Sequence, residues 1–181
     1  MEFVKLEIPD VVLVRPKVFG DARGYFFESW EQRKFAKAGI GVEFVQDNYS
    51  RSVQGTLRGL HYQIKQPQGK LVRVTLGEVF DVAVDLRRSS PTFGRAVSTL
   101  LSGENKHQLW IPPGFAHGFY VLSEAAEFFY KCTDFYAPEH ERSLRWDDPK
   151  LDIRWPLGGR APLLSVKDQQ GKSLADAECF P

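Results

Sequence analysis

From Lys70 to Leu86 the chain alternates residue by residue, and a period of two limits what it can become. Phe80, Val82, Val84 and Leu86 fall on one face, and Val79, Asp81, Ala83 and Asp85 on the other, which is strand periodicity. Gly77-Glu78 supplies the turn that precedes this run. Further extended stretches lie at 44–48, 95–101, 108–111, 119–122 and 126–133, divided by Gly, Pro, Ser and Asn turns. Many short strands with such punctuation predict an antiparallel sandwich or barrel, because a parallel α/β fold would need helices between the strands. The opening run Val11-Val12-Leu13-Val14 is bracketed by Pro9 and Pro16, which suits edge or exchanged strands. Ser29-Trp30-Glu31-Gln32 reads as a capping box with Ser29 as N-cap, opening a helix through Phe35 to Gly39. Ser165-Val166-Lys167-Asp168 opens a second, short one.

A chain of 181 residues with 43% hydrophobic content predicts one domain over 1–181. At this size roughly 70% of the unfolded surface is buried, so a core needs no staples. The 14 Phe, 6 Tyr and 4 Trp suit a β-rich core with aromatic surfaces. A formal net charge of +1 argues against nucleic acid or an anionic membrane as the main partner, so any phosphate must be held by a local cluster. Cys132 and Cys179 form no CxxC pair, and neither a signal-like segment nor a bilayer-length apolar run is present. The expectation is a soluble cytoplasmic protein with reduced thiols.

The chemistry concentrates in Thr56-Leu57-Arg58-Gly59-Leu60-His61-Tyr62-Gln63 and the Lys70 strand after Gln68-Gly69. An arginine fork can hold a phosphate, a histidine can move a proton near neutral pH, and a lysine can face a carbonyl oxygen gaining charge. Taken singly, each has a plainer reading as a surface charge, a polar half-buried residue or a hairpin flank. Together they point to proton transfer beside a carbonyl on a phosphate-anchored substrate. Tyr130 shares a strand face with Phe128 and Cys132 and reads first as a core tyrosine, although a buried phenol can serve as a general acid. Asp168 reads as a first-turn acid favoured by the helix dipole, and Glu141 and Lys167 as surface charges.

Pro112-Pro113-Gly114-Phe115-Ala116-His117 follows a P-x-G-x-x-H pattern that resembles a cupin-type jelly roll. In that fold an earlier H-x-H and a glutamate join the later histidine around a metal. Here the earlier strand reads His61-Tyr62-Gln63 and the following residues carry no acid. Amide oxygen is a poor ligand beside His and carboxylate, so a metal held by His61, Gln63 and His117 is kept as a minority reading.

Ordered blocks over nearly the whole chain resemble the dTDP-4-dehydrorhamnose 3,5-epimerase family. They are VFGDARGYFFESW at 18–30, FVQDNYSRS at 44–52, LRGLHYQ at 57–63, QGKLVRV at 68–74, GEVFDVAVDLR at 77–87, IPPGFAHGFYVLS at 111–123, APEHER at 137–142 and SVKD at 165–168. The resemblance implies a mostly β, cupin-type jelly roll with a few short peripheral helices. It also implies a homodimer, with the N-terminal segment pairing to the partner's sheet, and no metal or organic cofactor.

By the same resemblance, His61 removes the protons at C3 and C5 of a dTDP-4-dehydro-6-deoxy sugar. Tyr130 returns a proton from the opposite face, Lys70 stabilises the C4 enolate oxygen, and Asp168 orients His61. Arg23 and Arg58 would contact the diphosphate or sugar. Glu28, Gln46, Asp47 and Asn48 would hold the thymidine, with Phe19 stacked near the base, and His117, Glu141 and Lys167 would complete the substrate contacts. Other readings are a sister enzyme acting at one carbon or moving the keto group, a metal-dependent cupin, and a non-catalytic binder of sugar nucleotides.

Overall fold

The alternating stretches become strands of two antiparallel sheets in a computed structural model that describes residues 1–181. In chain order the strands are β1 (Glu2–Lys5), β2 (Val12–Arg15), β3 (Val18–Asp21), β4 (Gly24–Phe27), β5 (Gln46–Val53), β6 (Leu57–Gln63) and β7 (Lys70–Leu76). They continue with β8 (Glu78–Asp85), β9 (Ala96–Ser102), β10 (Gln108–Ile111), β11 (Phe115–Val121), β12 (Ala125–Cys132) and β13 (Glu141–Ser143). Two short helices, α1 (Gln32–Lys37) and α2 (Val166–Gln169), lie outside the sheets. One sheet runs β1-β2-β10-β7-β12-β5, the other β13-β6-β11-β8-β9, and β3 and β4 form a separate hairpin.

Side-chain alternation explains the stacking. Val72 and Val74 of β7 and Phe128 of β12 meet Val79 and Ala83 of β8, and Phe115 and Phe119 of β11, in the central core between the sheets. Phe119 and Phe128 stack across that core at 4.2 Å between ring centroids, which adds to their area burial. The outer face of the five-stranded sheet carries Leu60, Tyr62, Val82, Val84 and Leu86, and is covered by C-terminal residues including Leu151, Leu174 and Ala177. Beyond the six-stranded sheet, Phe35 of α1 packs with Val12, Val14, Leu71 and Trp110. The result is the mostly β, cupin-like jelly roll that the sequence suggests. No helix is long and apolar enough to cross a membrane.

Two local expectations are corrected. Helix α1 is capped by Glu31, whose carboxylate accepts from the backbone N–H groups of Arg33 and Lys34, so the helix starts two residues after the position a Ser29 cap would give. The strand at 119–122 begins at Phe115, placing His117 inside β11 and not at its entrance. The N-terminal strand pairs with its own chain. A turn closed by Val11 N–H on Ile8 O at 2.9 Å folds β1 back antiparallel on β2.

Candidate active site

Between the sheets the inward faces change from apolar to polar. Residues directly opposite in an antiparallel pair point to the same side, so register decides which side chains reach this space. Tyr130 lies opposite Asn48, and Cys132 opposite both Gln46 and Lys70, and all follow Phe128 inward. His61 lies opposite His117, in strands of the other wall.

Strict alternation would send Arg58 and His61, three residues apart, to opposite faces. The ladder instead shifts register between His117 and Phe119, so that Arg58 pairs with Phe119 and His61 with His117. This is a bulge, one extra residue on β6, and it turns both functional side chains to the inner face. Glycines make it possible. A Cβ on Gly59 would stand 2.6 Å from Gly118 Cα and 2.7 Å from His117 O, and Gly59 has φ +118°. Arg58 then donates from Nε to Ser52 Oγ of β5 at 2.9 Å, tying the two sheets together across the cleft.

His61 Nε2 lies 2.6 Å from Asp168 Oδ1 on α2. The carboxylate is 3% exposed and the imidazole 27%, so the acid is sealed while the base keeps access to the cleft. Asp168 also accepts from Ser165 Oγ at 2.6 Å, within a capping box that fixes the first turn of α2, and from Gly59 N–H at 3.3 Å. Burial would raise its pKa, but hydrogen bonds from His61 and Ser165 outweigh this and hold the carboxyl below its usual range. Such a dyad fixes the imidazole's tautomer and orientation.

Tyr130 stands on the opposite wall. Burial pushes its phenol up to about 12, with Cys132 and Glu141 acting in the same direction and Arg58 against them. Lys70 is driven the other way, its ammonium pushed below its usual range by burial and only partly restored by the negative charge of Glu141 and Asp81. Glu141 on β13 bonds Lys167 and accepts from Tyr136 Oη at 2.8 Å. Its carboxyl, which burial would raise, is held down by those two partners. Gln46 donates to Asn48 Oδ1 at 3.1 Å, and Asn48 to Cys132 Sγ at 3.6 Å, making a polar side wall.

The structure therefore gathers Gln46, Asn48, Arg58, His61, Lys70, His117, Tyr130, Glu141, Lys167 and Asp168 around one cleft. It does not bring in Asp47, which points to the outer face of β5 and pairs with Lys131 at 2.9 Å. Glu28 is engaged with Lys34 beside α1 at 2.6 Å. Phe19 and Arg23 sit on the β3–β4 hairpin, with Phe19 54% exposed and the Arg23 side chain 90% exposed and paired to Asp21. Gln63, the amide that a metal site would need, donates to the carbonyls of Gln66 and Phe135 and accepts from Ala137 N–H, so it holds loops. Sequence reasoning assigned no role in the site to Asp81, Ser52, Cys132 or Tyr136. For Asp81 a signal was present, a carboxylate on a strand face shared with Val79 and Ala83.

A histidine backed by a sealed carboxylate on one wall, and a phenol with an ammonium on the other, are the groups that acid–base isomerisation uses, here on a cupin-like scaffold. The family model described as dTDP-4-dehydrorhamnose 3,5-epimerase matches residues 5–176. A dTDP-4-dehydrorhamnose 3,5-epimerase of Pseudomonas aeruginosa is 69% identical over 100% of both chains. A crystal structure of dTDP-6-deoxy-D-glucose-3,5-epimerase from Legionella pneumophila, in complex with dTDP-4-keto-L-rhamnose, is 54% identical, with a TM-score of 0.95 over 98% of this chain and 94% of that one. A 3′-monoepimerase from Streptomyces bikiniensis, in complex with dTDP-quinovose, is 34% identical at a TM-score of 0.87, over 94% of this chain and 86% of that one. The chain belongs to the dTDP-4-dehydrorhamnose 3,5-epimerase family and is an isomerase.

Proposed function

We infer that this enzyme converts dTDP-4-dehydro-6-deoxy-D-glucose to dTDP-4-dehydro-L-rhamnose by removing and returning the protons at C3 and C5. The observation that carries the reading is the placement of a base and an acid on opposed walls, His61 backed by Asp168 on β6 and Tyr130 on β12. Inversion requires a proton to leave one face of the sugar and return to the other, and a single base on one wall would restore the original centre. His61 takes the α-proton, Lys70 faces the C4 oxygen as it becomes an enolate, and Tyr130 protonates the opposite face. Preorganised charge of this kind is worth about 3–4 kcal/mol, and each positioned acid or base about 10²–10⁴-fold. Both carbons are α to the C4 ketone, so the substrate supplies its own electron sink.

Arg58, steadied by Ser52, holds the diphosphate, and Gln46, Asn48, His117, Glu141 and Lys167 line the nucleotide-sugar path. The residues left outside this cleft fit a homodimer. Tyr25 and Phe26, 60% and 70% exposed, share the β3–β4 hairpin with Phe19 and Arg23, which makes the hairpin an aromatic arm suited to a second copy. In that assembly the partner's arm supplies the base-stacking ring and a further arginine.

Incubation in D₂O followed by NMR of the sugar tests the activity. Deuterium at C3 and C5 with L-configured product is expected. Deuterium at one carbon would make this a mono-epimerase, and no exchange with dTDP still bound would leave a binding protein.

A further inference from the structure

Asp81 lies on β8 between Val79 and Ala83 of the central core and is completely buried. A carboxylate taken out of water is costly unless it is paired and hydrogen-bonded. Both of its oxygens lie 3.0 Å from a single donor, Nε2 of His117. His117 is 8% exposed, is the direct cross-strand partner of His61, and stacks on Phe128 at 6.0 Å. Phe128 in turn packs on the Tyr130 ring at 6.1 Å. The barrel thus carries a second histidine–carboxylate pair immediately beside the first.

Nδ1 of His117 has no protein partner. It is also not among the sealed, unpartnered polar atoms, which are Trp30 Nε1, Arg73 Nε and Ser143 Oγ. Nδ1, the ring nitrogen that Asp81 does not hold, therefore keeps accessible surface. A bifurcated acceptor fixes both the plane of the imidazole and the nitrogen that carries the proton.

We propose that Asp81 is a positioning residue. It pins His117 as the Nε2–H form, so that Nδ1 is presented to the cleft as the hydrogen-bonding atom for the nucleotide-sugar. The role rests on the assignment of His117 to substrate contact and is separate from the chemistry of His61. An apolar residue of similar volume would pack at this position without a desolvation cost, and a carboxylate there is explained by what it does to its one donor.

Ring ¹⁵N NMR of the full-length protein tests the proposal, and with four histidines in the chain the spectrum is tractable. In the unliganded enzyme His117 is expected as one Nε2–H species, with its Nδ1 resonance moving when dTDP is added. Asp81→Asn should mix the tautomers and raise KM about 10-fold, with kcat within about 3-fold. In a His117→Ala background the same substitution should cost nothing further. A wild-type ring protonated on Nδ1 alone, or an Asp81→Asn penalty of equal size in both backgrounds, would overturn the proposal. The wild-type spectrum decides even if Asp81→Asn does not fold. A wild-type enzyme that failed to exchange C3 and C5 protons would refute the epimerase reading and leave the tautomer measurement intact.

Discussion

Gly118→Ala tests whether the strand bulge positions the site. A Cβ at this position would stand 2.5 Å from the carbonyl oxygen of Arg58 and 3.1 Å from both Gly59 Cα and Leu60 Cδ2. The first contact is about 1 Å short of an ordinary carbon–oxygen approach. Backbone must give way, because Leu60 is completely buried and offers no slack. Overpacking of this kind costs about 1–3 kcal/mol, which at typical urea slopes lowers the midpoint by about 1 M. The atom displaced belongs to Arg58, whose guanidinium bridges to Ser52 across the cleft. A 1 Å misplacement of a substrate-positioning group costs about 10²-fold, so kcat/KM should fall by that order in a folded enzyme. Steady-state kinetics and urea melts on the same preparation make the assay. Gly158→Ala serves as control, since nothing lies within 4 Å of a Cβ there, and its effect should be confined to a modest stability change at φ +59°. A Gly118→Ala enzyme with unchanged kcat/KM and midpoint would refute the claim that close backbone approach aims Arg58 and His61 together.

Three further outcomes are expected. Asp168→Asn should lower kcat by about 10²–10⁴-fold with little change in KM, because the charge that stabilises the imidazolium is lost and the amide NH2 can hold the wrong tautomer, and stopped assays over the rhamnose pathway substrate would measure it. Tyr130→Phe should keep His61-driven uptake of deuterium from D₂O while net inversion falls about 10²–10⁴-fold, so exchange and configuration, read by NMR, should separate; equal loss of both would count against Tyr130 as the acid. Asp85 is held at about 2: burial would raise it, but bonds from Arg87, Ser90 and Thr92 prevail. A carboxyl depressed in the folded state stabilises above its unfolded value near 3.8 and loses that contribution as pH falls through about 2, so urea midpoints should drop over that window and Asp85→Asn should flatten the drop.

The periodic part of the chain was legible and the register was not. Gln108–Ile111 coincides with β10, and the 126–133 run differs from Ala125–Cys132 by one residue, because hydrophobic alternation is a direct consequence of one buried face. Alternation also placed Tyr130, Phe128 and Cys132 on one face, as found. It fails at Arg58 and His61, since a bulge is set by the contact of Gly59 with Gly118, some sixty residues apart. The α1 boundary moved because Glu31 satisfies the free N–H groups of Arg33 and Lys34, two residues further on than a Ser29 cap would reach, whereas propensity alone ranks serine first. The resemblance groups Asp47 with Gln46 and Asn48, whereas period two turns its side chain to the opposite face of β5, toward Lys131.

The electrostatics of the cleft explain why the proposed cation, Lys70, and the proposed acid, Tyr130, are not already spent on other groups. The same burial raises the Tyr130 phenol to about 12 and lowers the Lys70 ammonium, since each shift disfavours the charged form. Tyr130 thus stays protonated across neutral pH and has a proton to give. Glu141, which could have neutralised Lys70 directly, is occupied by Lys167 and Tyr136, and Asp81 by His117. Lys70 is left without a directly bonded carboxylate, and burial disfavours its ammonium. In the mechanism proposed above, an enolate oxygen beside the ammonium would offset that burial cost, whereas a neutral ketone oxygen would offset much less of it. By that same proposed mechanism, stabilisation by Lys70 would be larger for the enolate-like transition state than for bound substrate, which is the condition for raising kcat and not merely tightening binding.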